Sequence, residues 1–330
     1  MTRTVTGIKP TGSPHLGNYY GVIQPALHLA DSHETFYFVA DYHALTAPPG
    51  PVRMRTLSAD VAAHWIALGY DHERHVLYRQ SDVPEVCELA WLLACCTAKG
   101  LLNRAHAYKA AVQANDFAGR EPDHGVNAGL FNYPVLMAAD ILLHRADVVP
   151  VGGDNLQHVE VARDIAAAFN AAYGEVFVLP EPVLDERTRA IPGIDGRKMS
   201  KSYDNVVPIL AEPDEVRRRV MTIVTDSRRP EDAKDPDTCR IFALYRCVAA
   251  RGDVEEMAAR YRAGGVSYKE AKEVLATTLI DRFATARGRY VDIRADRGLL
   301  EEILATGAVR ARANARPTLD AAREAMGLPT

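Results

Sequence analysis

The chain has 330 residues, of which 48% are hydrophobic and 25% are charged, and its formal net charge is −4. These are ordinary values for a globular protein that is long enough to form two domains. The small negative charge excludes a generally basic nucleic-acid-binding protein, so any such binding would depend on local basic patches.

Five short runs of β-branched and aromatic residues predict buried strands. They are TRTVTGI near Thr4, TFYFVAD from Thr35, HVLYRQ from His75, DVVPVGG from Asp147 and EVFVLP from Glu175. Helical patterns such as GNYYGVIQPALHLADS and TLSADVAAHWIALGY lie between them. This alternation predicts an α/β fold with a parallel sheet, which binds ligands beyond the carboxyl ends of its strands.

After about Asn205 the strand signals nearly vanish and helical patterns follow one another. We therefore place a domain boundary near residues 203–210, with an all-α domain after it. The cysteines are odd in number and lack paired C-x-x-C spacing, which argues against a zinc site or a disulfide framework. The N-terminus has no apolar leader, and no run approaches about 18 apolar residues, so we expect a soluble, cytoplasmic protein.

Residues 6–21, TGIKPTGSPHLGNYYG, join the first predicted strand to a helix. The segment is neither of the standard glycine-rich phosphate motifs. Backbone N–H groups at a helix start nevertheless favour anions, and His15 and Asn18 lie about one turn apart, so both can face one ligand. The alternative is a tight strand–helix turn with a satisfied histidine.

In NYPVLMAADILLHRAD, Pro134 fits the first turn of a helix. Tyr133, Met137, Asp140 and Ile141 then fall on one face. A carboxylate in such an apolar setting is costly unless it is partnered. Its partner is either a buried arginine or a donor on a ligand, and an indole N–H donates one hydrogen bond and accepts none.

Two further loops carry candidate ligand-binding residues. In VVPVGGDNLQHVEVARDI, a predicted strand ends at Gly152, and Asp154 stands at a helix start. The glycines allow close backbone approach, and Asp154 either accepts hydrogen bonds from a ribose or caps the helix. In DGRKMSKSYDN, residues 195–205, basic side chains surround two serines, which indicates either a solvated charge run or an anion site.

Together these segments resemble the tryptophanyl-tRNA synthetases, a family of class I aminoacyl-tRNA synthetases. PTGSPHLGN is similar to the HIGH-type signature, and KMSKS at residues 198–202 matches the second class signature in full. YPVLMAADIL, PVGGDNLQHVEVARDIA, VMTIVTDS and the final AMGL are also similar to that family, so the resemblance covers nearly the whole chain.

The resemblance implies a Rossmann-type catalytic domain at residues 1–205, with a helical dimerisation insertion at about 80–130. A helical anticodon-binding domain at 206–330 would follow, and its final helix would return to the catalytic domain. The implied activity is ATP-dependent activation of L-tryptophan to tryptophanyl-adenylate and transfer to tRNA(Trp), by a homodimer without membrane attachment. ATP with Mg²⁺ would be a co-substrate, without a prosthetic group or structural metal.

The resemblance also implies roles for individual residues. His15, Asn18, Lys198 and Lys201 would be catalytic. ATP binding would fall to Lys9, Pro10, Thr11, Gly17, Asn18, Gly152, Gly153, Asp154, Ile191, Lys198, Met199, Ser200, Lys201 and Ser202. The tryptophan site would comprise Asp140 as acceptor of the indole N–H, the walls Met137, His43, Val149 and Val151, and Tyr133 and Asn155 at the ammonium and carboxylate.

The chain departs from the family pattern at Lys9, where glutamine is common, at residues 153–155, where Glu-Asp-Gln is common, and at Val5, where an aromatic is common. We expect Lys9 to alter discrimination among tryptophan analogues and Asn155 to reach the substrate through water. A tyrosine-specific relative and a divergent paralogue with a binding or regulatory role are the alternatives. A tyrosine pocket should show a Tyr/Asp or Gln pair rather than a lone Asp140.

Two arginine clusters in the helical region could contact tRNA phosphates or be solvated helix faces. The early cluster is Arg217, Arg218, Arg219, Arg228 and Arg229, and the late cluster is Arg310, Arg312 and Arg316.

Overall fold

A computed structural model of the chain describes residues 2–152, 156–183 and 191–330. Its centre is a five-stranded parallel sheet in the order β3-β2-β1-β4-β5. The strands are β1 Arg3–Ile8, β2 Glu34–Val39, β3 Val76–Arg79, β4 Val148–Pro150 and β5 Glu181–Val183. The order reverses between β1 and β4, and ligands bind at such a reversal in open parallel sheets. The α/β prediction is confirmed.

Four of the predicted strands are present, but the fifth is wrong. Residues 175–180 form no strand, and β5 follows them. The side chain of Asn170 replaces the expected neighbouring strand: its Oδ1 accepts hydrogen bonds from the backbone N–H groups of Val176 at 3.1 Å and Phe177 at 3.0 Å. The Phe177 ring packs on Phe169, with ring centroids 4.8 Å apart. The run is thus a partly buried loop, with Phe177 buried and Leu179 exposed, and the side chain of Asn170 satisfies its backbone.

The helices of the first 183 residues flank the sheet. They are α1 Leu16–Asn18, α2 Gln24–Ala30, α3 Asp41–Ala44, α4 Pro51–Ala67, α5 Glu85–Cys96, α6 Lys99–Leu102, α7 His106–Phe117, α8 Ala128–Leu143 and α9 Leu156–Tyr173. A π-helical turn, Tyr19–Ile23, joins α1 to α2.

The start of α8 differs from the prediction. The helix begins at Ala128 with Asn127 as its N-cap, whose side chain accepts a hydrogen bond from the backbone N–H of Leu130 at 2.8 Å. Pro134 therefore lies inside the helix rather than in its first turn. The capping asparagine supplies the acceptor that a helix start requires, so the proline does not define the boundary.

Among the residues described after Val183, helices are the only long elements. They are α10 Pro213–Met221, α11 Arg240–Val248, α12 Arg251–Ala263, α13 Tyr268–Arg282, α14 Ala284–Ala295 and α15 Arg297–Ala325. Within the described ranges, no helix is both long and apolar enough to cross a membrane.

The final helix, α15, packs back on the sheet. Its buried residues Ala308, Ala311, Ala315 and Leu319 belong to the same hydrophobic cluster as the strands and α8. At Gly307 a Cβ atom would lie 1.8 Å from the carbonyl oxygen of Leu77 in β3, so only glycine permits this close approach. The division into domains at residues 203–210 stays a prediction.

Candidate active site

The first candidate loop leaves the carboxyl end of β1. His15 is the N-cap of α1, and its Nδ1 accepts a hydrogen bond from the backbone N–H of Asn18 at 3.3 Å. In return, Asn18 Oδ1 accepts from the backbone N–H of His15 at 3.2 Å. This reciprocal pair is a capping box. The alternative of a tight strand–helix turn with a satisfied histidine is therefore correct for one side of the ring. The capping box also leaves Nε2 as the N–H donor of the His15 ring.

The ring of His15 stays neutral at physiological pH. Burial, and after it the charges of Lys201 and Lys198, lower its pKa to about 3. Since Nδ1 accepts a hydrogen bond, the single ring proton lies on Nε2. His15 therefore supplies a fixed donor beside two cations, an arrangement suited to an anionic ligand.

The two signature segments are in direct contact. The backbone N–H of Gly17 donates to Met199 Sδ at 3.3 Å. Lys201 Nζ crosses from the second segment to donate to the carbonyl oxygen of Gly12. The first and second signature loops thus form one site, although about 190 residues separate them in sequence.

Three lysines act electrostatically on groups at this junction. Burial lowers the pKa of Lys201 to about 8, with Lys9 acting in the same direction and Asp60 opposing it. Lys198 and Lys201 both act on His15. Lys201 is still mostly charged at pH 7, so Lys9, Lys198 and Lys201 concentrate positive charge where the two loops meet. Such a cluster can bind and stabilise a polyanion.

The other residues predicted to bind ATP fall into two groups, one on the loops and one packed beneath them. Thr11 is exposed and Pro10 is buried, and the hydroxyl oxygens of Ser200 and Ser202 lie 2.8 Å apart. Ile191 and Met199 are packed in a hydrophobic cluster with Leu16 and Tyr20, so their side chains anchor the loops from beneath. Gly152 is half-buried, and Gly153, Asp154 and Asn155 lie outside the described residues.

A cavity of about 180 Å³ lies at the carboxyl ends of β1 and β4. It brings together seven residues predicted from the sequence: Lys9, His43, Tyr133, Met137, Asp140, Val149 and Val151. Lining residues that the sequence reasoning missed include Thr6, Gly7, Phe38, Thr46 and His158. The ends of β1 and β2 were the available signal for the first three, because the parallel sheet was predicted.

Asp140 is the most buried polar group of the cavity, at 3% exposure. Its partners are His43, whose Nε2 lies 2.8 Å from Oδ2, and Gln80, whose Nε2 donates to Oδ1 at 2.8 Å and Oδ2 at 2.9 Å. Of the two alternatives for its partner, the buried arginine is therefore wrong. Burial raises the pKa of Asp140, while the hydrogen bonds from His43 and Gln80 oppose the rise.

The partners of Asp140 leave room for a ligand. A carboxylate offers about four lone-pair positions, and the Asp140 carboxylate accepts three hydrogen bonds within the protein. Gln80 was missed, although a glutamine directly after a buried strand was a usable signal. Because Gln80 stands beside Asp140, the expectation of a lone aspartate is wrong, and this criterion does not separate a tryptophan pocket from a tyrosine pocket.

At the other side of the cavity, the hydroxyl oxygen of Tyr133 lies 2.5 Å from His158 Nε2. Burial raises the pKa of Tyr133, so the hydroxyl stays protonated. The cavity thus has an apolar middle, with Asp140 at one wall and a Tyr133–His158 pair at another.

Two arginines of the late cluster make contacts within the protein. Arg310 donates to backbone carbonyls of residues 72–75, including that of His75 at 2.9 Å, and Arg312 Nε donates to Glu85 at 3.0 Å. These two side chains attach α15 to the segments around β3 and α5, although 49% of the Arg312 side chain is exposed, and the contact of this cluster with tRNA stays a prediction. In the early cluster, Arg229 has 71% of its side chain exposed despite contacts with Asp232 and Glu231.

Within residues 2–152, 156–183 and 191–330, no group of three or more His, Cys, Asp or Glu side chains is placed to hold a metal ion. The candidate ligand sites are the meeting point of the two signature loops with Lys9, Lys198 and Lys201, called the cationic junction below, and the cavity beside it.

Known proteins are similar to this chain over most of its length. A family model described as tRNA synthetases class I (W and Y) matches residues 1–284. The tryptophan–tRNA ligase of Pseudomonas aeruginosa is 50% identical over 99% of this chain and 74% of that protein. The ligase of Neisseria meningitidis is 46% identical over 99% of this chain and 98% of that protein.

The fold is also similar to solved structures. The tryptophanyl-tRNA synthetase of Campylobacter jejuni, solved with ADP and tryptophan, is 40% identical with a TM-score of 0.86, covering 99% of this chain and 100% of that one. A synthetase of the same name from Mycoplasma pneumoniae is 27% identical with a TM-score of 0.83, over 100% of this chain and 98% of that one.

Proposed function

The chain belongs to the class I tRNA synthetases for tryptophan and tyrosine, and we propose that its cationic junction and neighbouring cavity are the ATP and tryptophan sites of a tryptophan-specific member. It is an aminoacyl-tRNA synthetase that activates tryptophan with ATP and charges tRNA. The contact of Lys201 Nζ with the Gly12 carbonyl carries the site assignment, because it joins both signatures beside the cavity.

The reaction has two steps. In the first, a carboxylate oxygen of tryptophan forms a bond to the α-phosphorus of ATP, the bond from that phosphorus to the bridging oxygen breaks, and pyrophosphate leaves with the electron pair. In the second, a terminal ribose hydroxyl of the tRNA attacks the acyl carbon, loses its proton, and AMP leaves. Neither step requires a protein nucleophile, so alignment and charge stabilisation are the protein's main contributions.

The junction residues supply that stabilisation in our proposal. His15 donates from Nε2 to an ATP phosphate, while Asn18 holds the ring in place. Lys198 and Lys201 neutralise charge that develops on the leaving pyrophosphate. The remaining ATP contacts come from Lys9, Pro10, Thr11, Gly17, Gly152, Ser200 and Ser202, with Ile191 and Met199 beneath the loops, and from Gly153 and Asp154 outside the described residues.

The cavity holds the tryptophan side chain in the same proposal. Asp140 accepts the indole N–H at the position that His43 and Gln80 leave open. Met137, Val149 and Val151 supply apolar walls. Tyr133 would bind the ammonium group, and Asn155, which would bind the carboxylate, lies outside the described residues.

Further parts of the proposal concern co-substrate, assembly and location. The metal ion enters as Mg²⁺ bound to ATP, and residues 206–330 contact the tRNA anticodon. The exposed apolar side chains Trp91, at 72%, and Phe117, at 96%, support a homodimer through residues 80–130. We place the enzyme in the cytoplasm, where its tRNA substrate is charged.

Exchange between pyrophosphate and ATP tests the function. We expect exchange that depends on tryptophan and does not occur with tyrosine, together with charging of tRNA by tryptophan. Exchange with tyrosine would identify the tyrosine-specific alternative. Absence of exchange with any amino acid would identify a paralogue with a binding role.

Asp140→Asn tests the indole assignment within the same assay. Hydrogen bonds to charged groups are worth about 1.5–3 kcal/mol, so we expect the KM for tryptophan to rise roughly 10- to 100-fold. The KM for ATP should change by less than about twofold, because the junction is a separate part of the site. An unchanged KM for tryptophan would remove Asp140 from the indole site.

A further inference from the structure

The amide of Asn205, at the end of the basic loop, is almost completely buried, with the residue 1% exposed. Its Nδ2 donates to the carbonyl oxygen of Lys198 at 3.0 Å and to Asp195 Oδ1 at 2.8 Å. Its Oδ1 accepts from the backbone N–H of Ser200 at 2.7 Å. Both donors and the acceptor of this amide are therefore used within one loop.

The backbone around Asn205 is shaped to receive that amide. The N–H of Ile194 donates to the Asn205 carbonyl at 3.0 Å. A Cβ atom on Gly193 would lie 2.3 Å from Asn205 Nδ2, so the amide rests directly on that glycine. Asp204 adopts a left-handed φ of 47°, which turns the chain into this position. The side chain thus ties together the two arms of residues 193–205.

The tied positions are those that carry the lysines. One hydrogen bond holds the carbonyl of Lys198 and another holds the N–H of Ser200, the residue before Lys201. The Lys198 backbone also forms a β-bridge with Pro192. Without the amide, the chain between Lys198 and Ser200 would lose two of the contacts that set its path and would keep the bridge on the Pro192 side.

We propose that Asn205 is a positioning residue for adenylate formation, whose amide aligns the backbone of Lys198 and Ser200 so that both lysines meet the leaving pyrophosphate. The inference rests on the pyrophosphate role proposed above for Lys198 and Lys201. Displacement of reacting groups by about 1 Å can cost roughly 100-fold in rate, so a local change of path has a large kinetic effect.

Asn205→Ala and Asn205→Asp separate positioning from general stability. Asn170 offers a matched control, because its amide also makes three hydrogen bonds to a loop, all of them to backbone groups, including Nδ2 to the Phe177 carbonyl at 2.8 Å. We expect Asn205→Ala to lower the single-turnover rate of adenylate formation by roughly 10- to 100-fold, with the KM for tryptophan changed less than about twofold. Asn170→Ala should lower thermal stability but leave that rate within about twofold.

Asn205→Asp adds a pH signature that a merely structural role would not give. A carboxylate there can only accept, so it opposes Asp195 and the Lys198 carbonyl, whereas the protonated acid regains one donor. Other charged groups around this loop are Arg197, which binds Asp195, Asp204 with its partner Arg219, and Arg240 of α11, which packs on Gly196. The rate of the variant relative to the unmodified protein should therefore rise as the pH falls from 8 to about 6.

Asp195→Asn completes the test. Alone it should leave the rate within about twofold, because its amide oxygen can still accept from Asn205 Nδ2. Combined with Asn205→Asp, it removes the opposed charge and restores a donor–acceptor pair. We expect the double variant to be at least about fivefold faster at pH 8 than Asn205→Asp alone. The effects of the two substitutions on the rate are then not additive.

Three results would overturn the inference. They are an Asn205→Ala rate within twofold of the unmodified protein, equal kinetic losses in Asn205→Ala and Asn170→Ala, or an Asn205→Asp rate ratio that does not change with pH and is not improved by Asp195→Asn. If Asn205→Ala does not fold, the Asn205→Asp and Asp195→Asn set decides alone. Failure of the proposed function is distinguishable, because the unmodified protein would then show no tryptophan-dependent exchange at all.

Discussion

Replacing Lys201 with alanine should affect adenylate formation far more than tryptophan binding. Lys201 Nζ lies at the junction of both signature loops, and burial lowers its pKa to about 8. At an effective dielectric constant of about 20, unit charges 4 Å apart interact by about 4 kcal/mol, and loss of one donor to a developing charge costs about 100- to 1,000-fold in kcat. We therefore expect a loss of roughly that size in the single-turnover rate.

Tryptophan binding should change little, because Lys201 does not line the cavity. Stopped-flow fluorescence would give the dissociation constant for tryptophan, expected within about twofold, and quench-flow would give the rate. Lys272→Ala is the matched control, since Lys272 Nζ also donates to a carbonyl, that of Met221 at 3.0 Å, and burial also lowers its pKa. Lys272 lies in α13, outside the two signature loops and the cavity lining, so the single-turnover rate should not change.

The pH dependence provides a second measurement on Lys201. A lowered lysine pKa means that the charged form is complete at low pH and is lost as the pH rises through about 8. The kcat/KM for ATP should therefore fall above pH 8 in the unmodified protein. In Lys201→Ala, this decrease of kcat/KM above pH 8 should be absent. Equal losses in tryptophan binding and activation, or an equal loss in Lys272→Ala, would refute the reasoning.

Three further predictions concern the pocket and the fold. Lys9→Gln should change kcat/KM for ring-substituted tryptophan analogues relative to tryptophan, since Lys9 lines the cavity. Burial lowers the pKa of His144 to about 4, so the neutral ring should contribute roughly 3 kcal/mol to the free energy of unfolding. This contribution is present above pH 6.5 and is lost as the pH falls to 4. In chemical denaturation, His144→Gln should therefore show a weaker dependence of the unfolding free energy on pH. Gly307→Ala should destabilise by at least about 2 kcal/mol because of the Leu77 carbonyl, whereas Gly288→Ala, with open space in α14, should stabilise by up to about 1 kcal/mol.

Each of these has a contrary outcome. Unchanged kcat/KM ratios would remove Lys9 from analogue discrimination. An equally steep pH dependence in His144→Gln would assign the titration to other groups. Melting temperatures that agree for Gly307→Ala and Gly288→Ala would contradict the close approach of α15 to β3.

Much of the fold was predictable from short segments. The first four strands and the helical C-terminal part follow local periodicity and residue type, which act over a few neighbouring residues. The fifth strand and the start of α8 were not predictable in this way. Asn170 satisfies the backbone of residues 176 and 177, and Asn127 caps α8 ahead of Pro134, so single side chains decided between equally apolar alternatives.

The candidate site shows the same contrast between local sequence patterns and long-range contacts. The proposed roles in chemistry come from sequence alone, because the two signatures are local combinations of glycine, histidine, lysine and serine, and these roles stay predictions. The contact of Lys201 with Gly12, 189 residues away, and the partnership of His43 and Gln80 with Asp140 are visible only in the folded chain. A buried polar group takes its partner from whichever distant segment the packing brings within about 3 Å, and no local pattern specifies that segment.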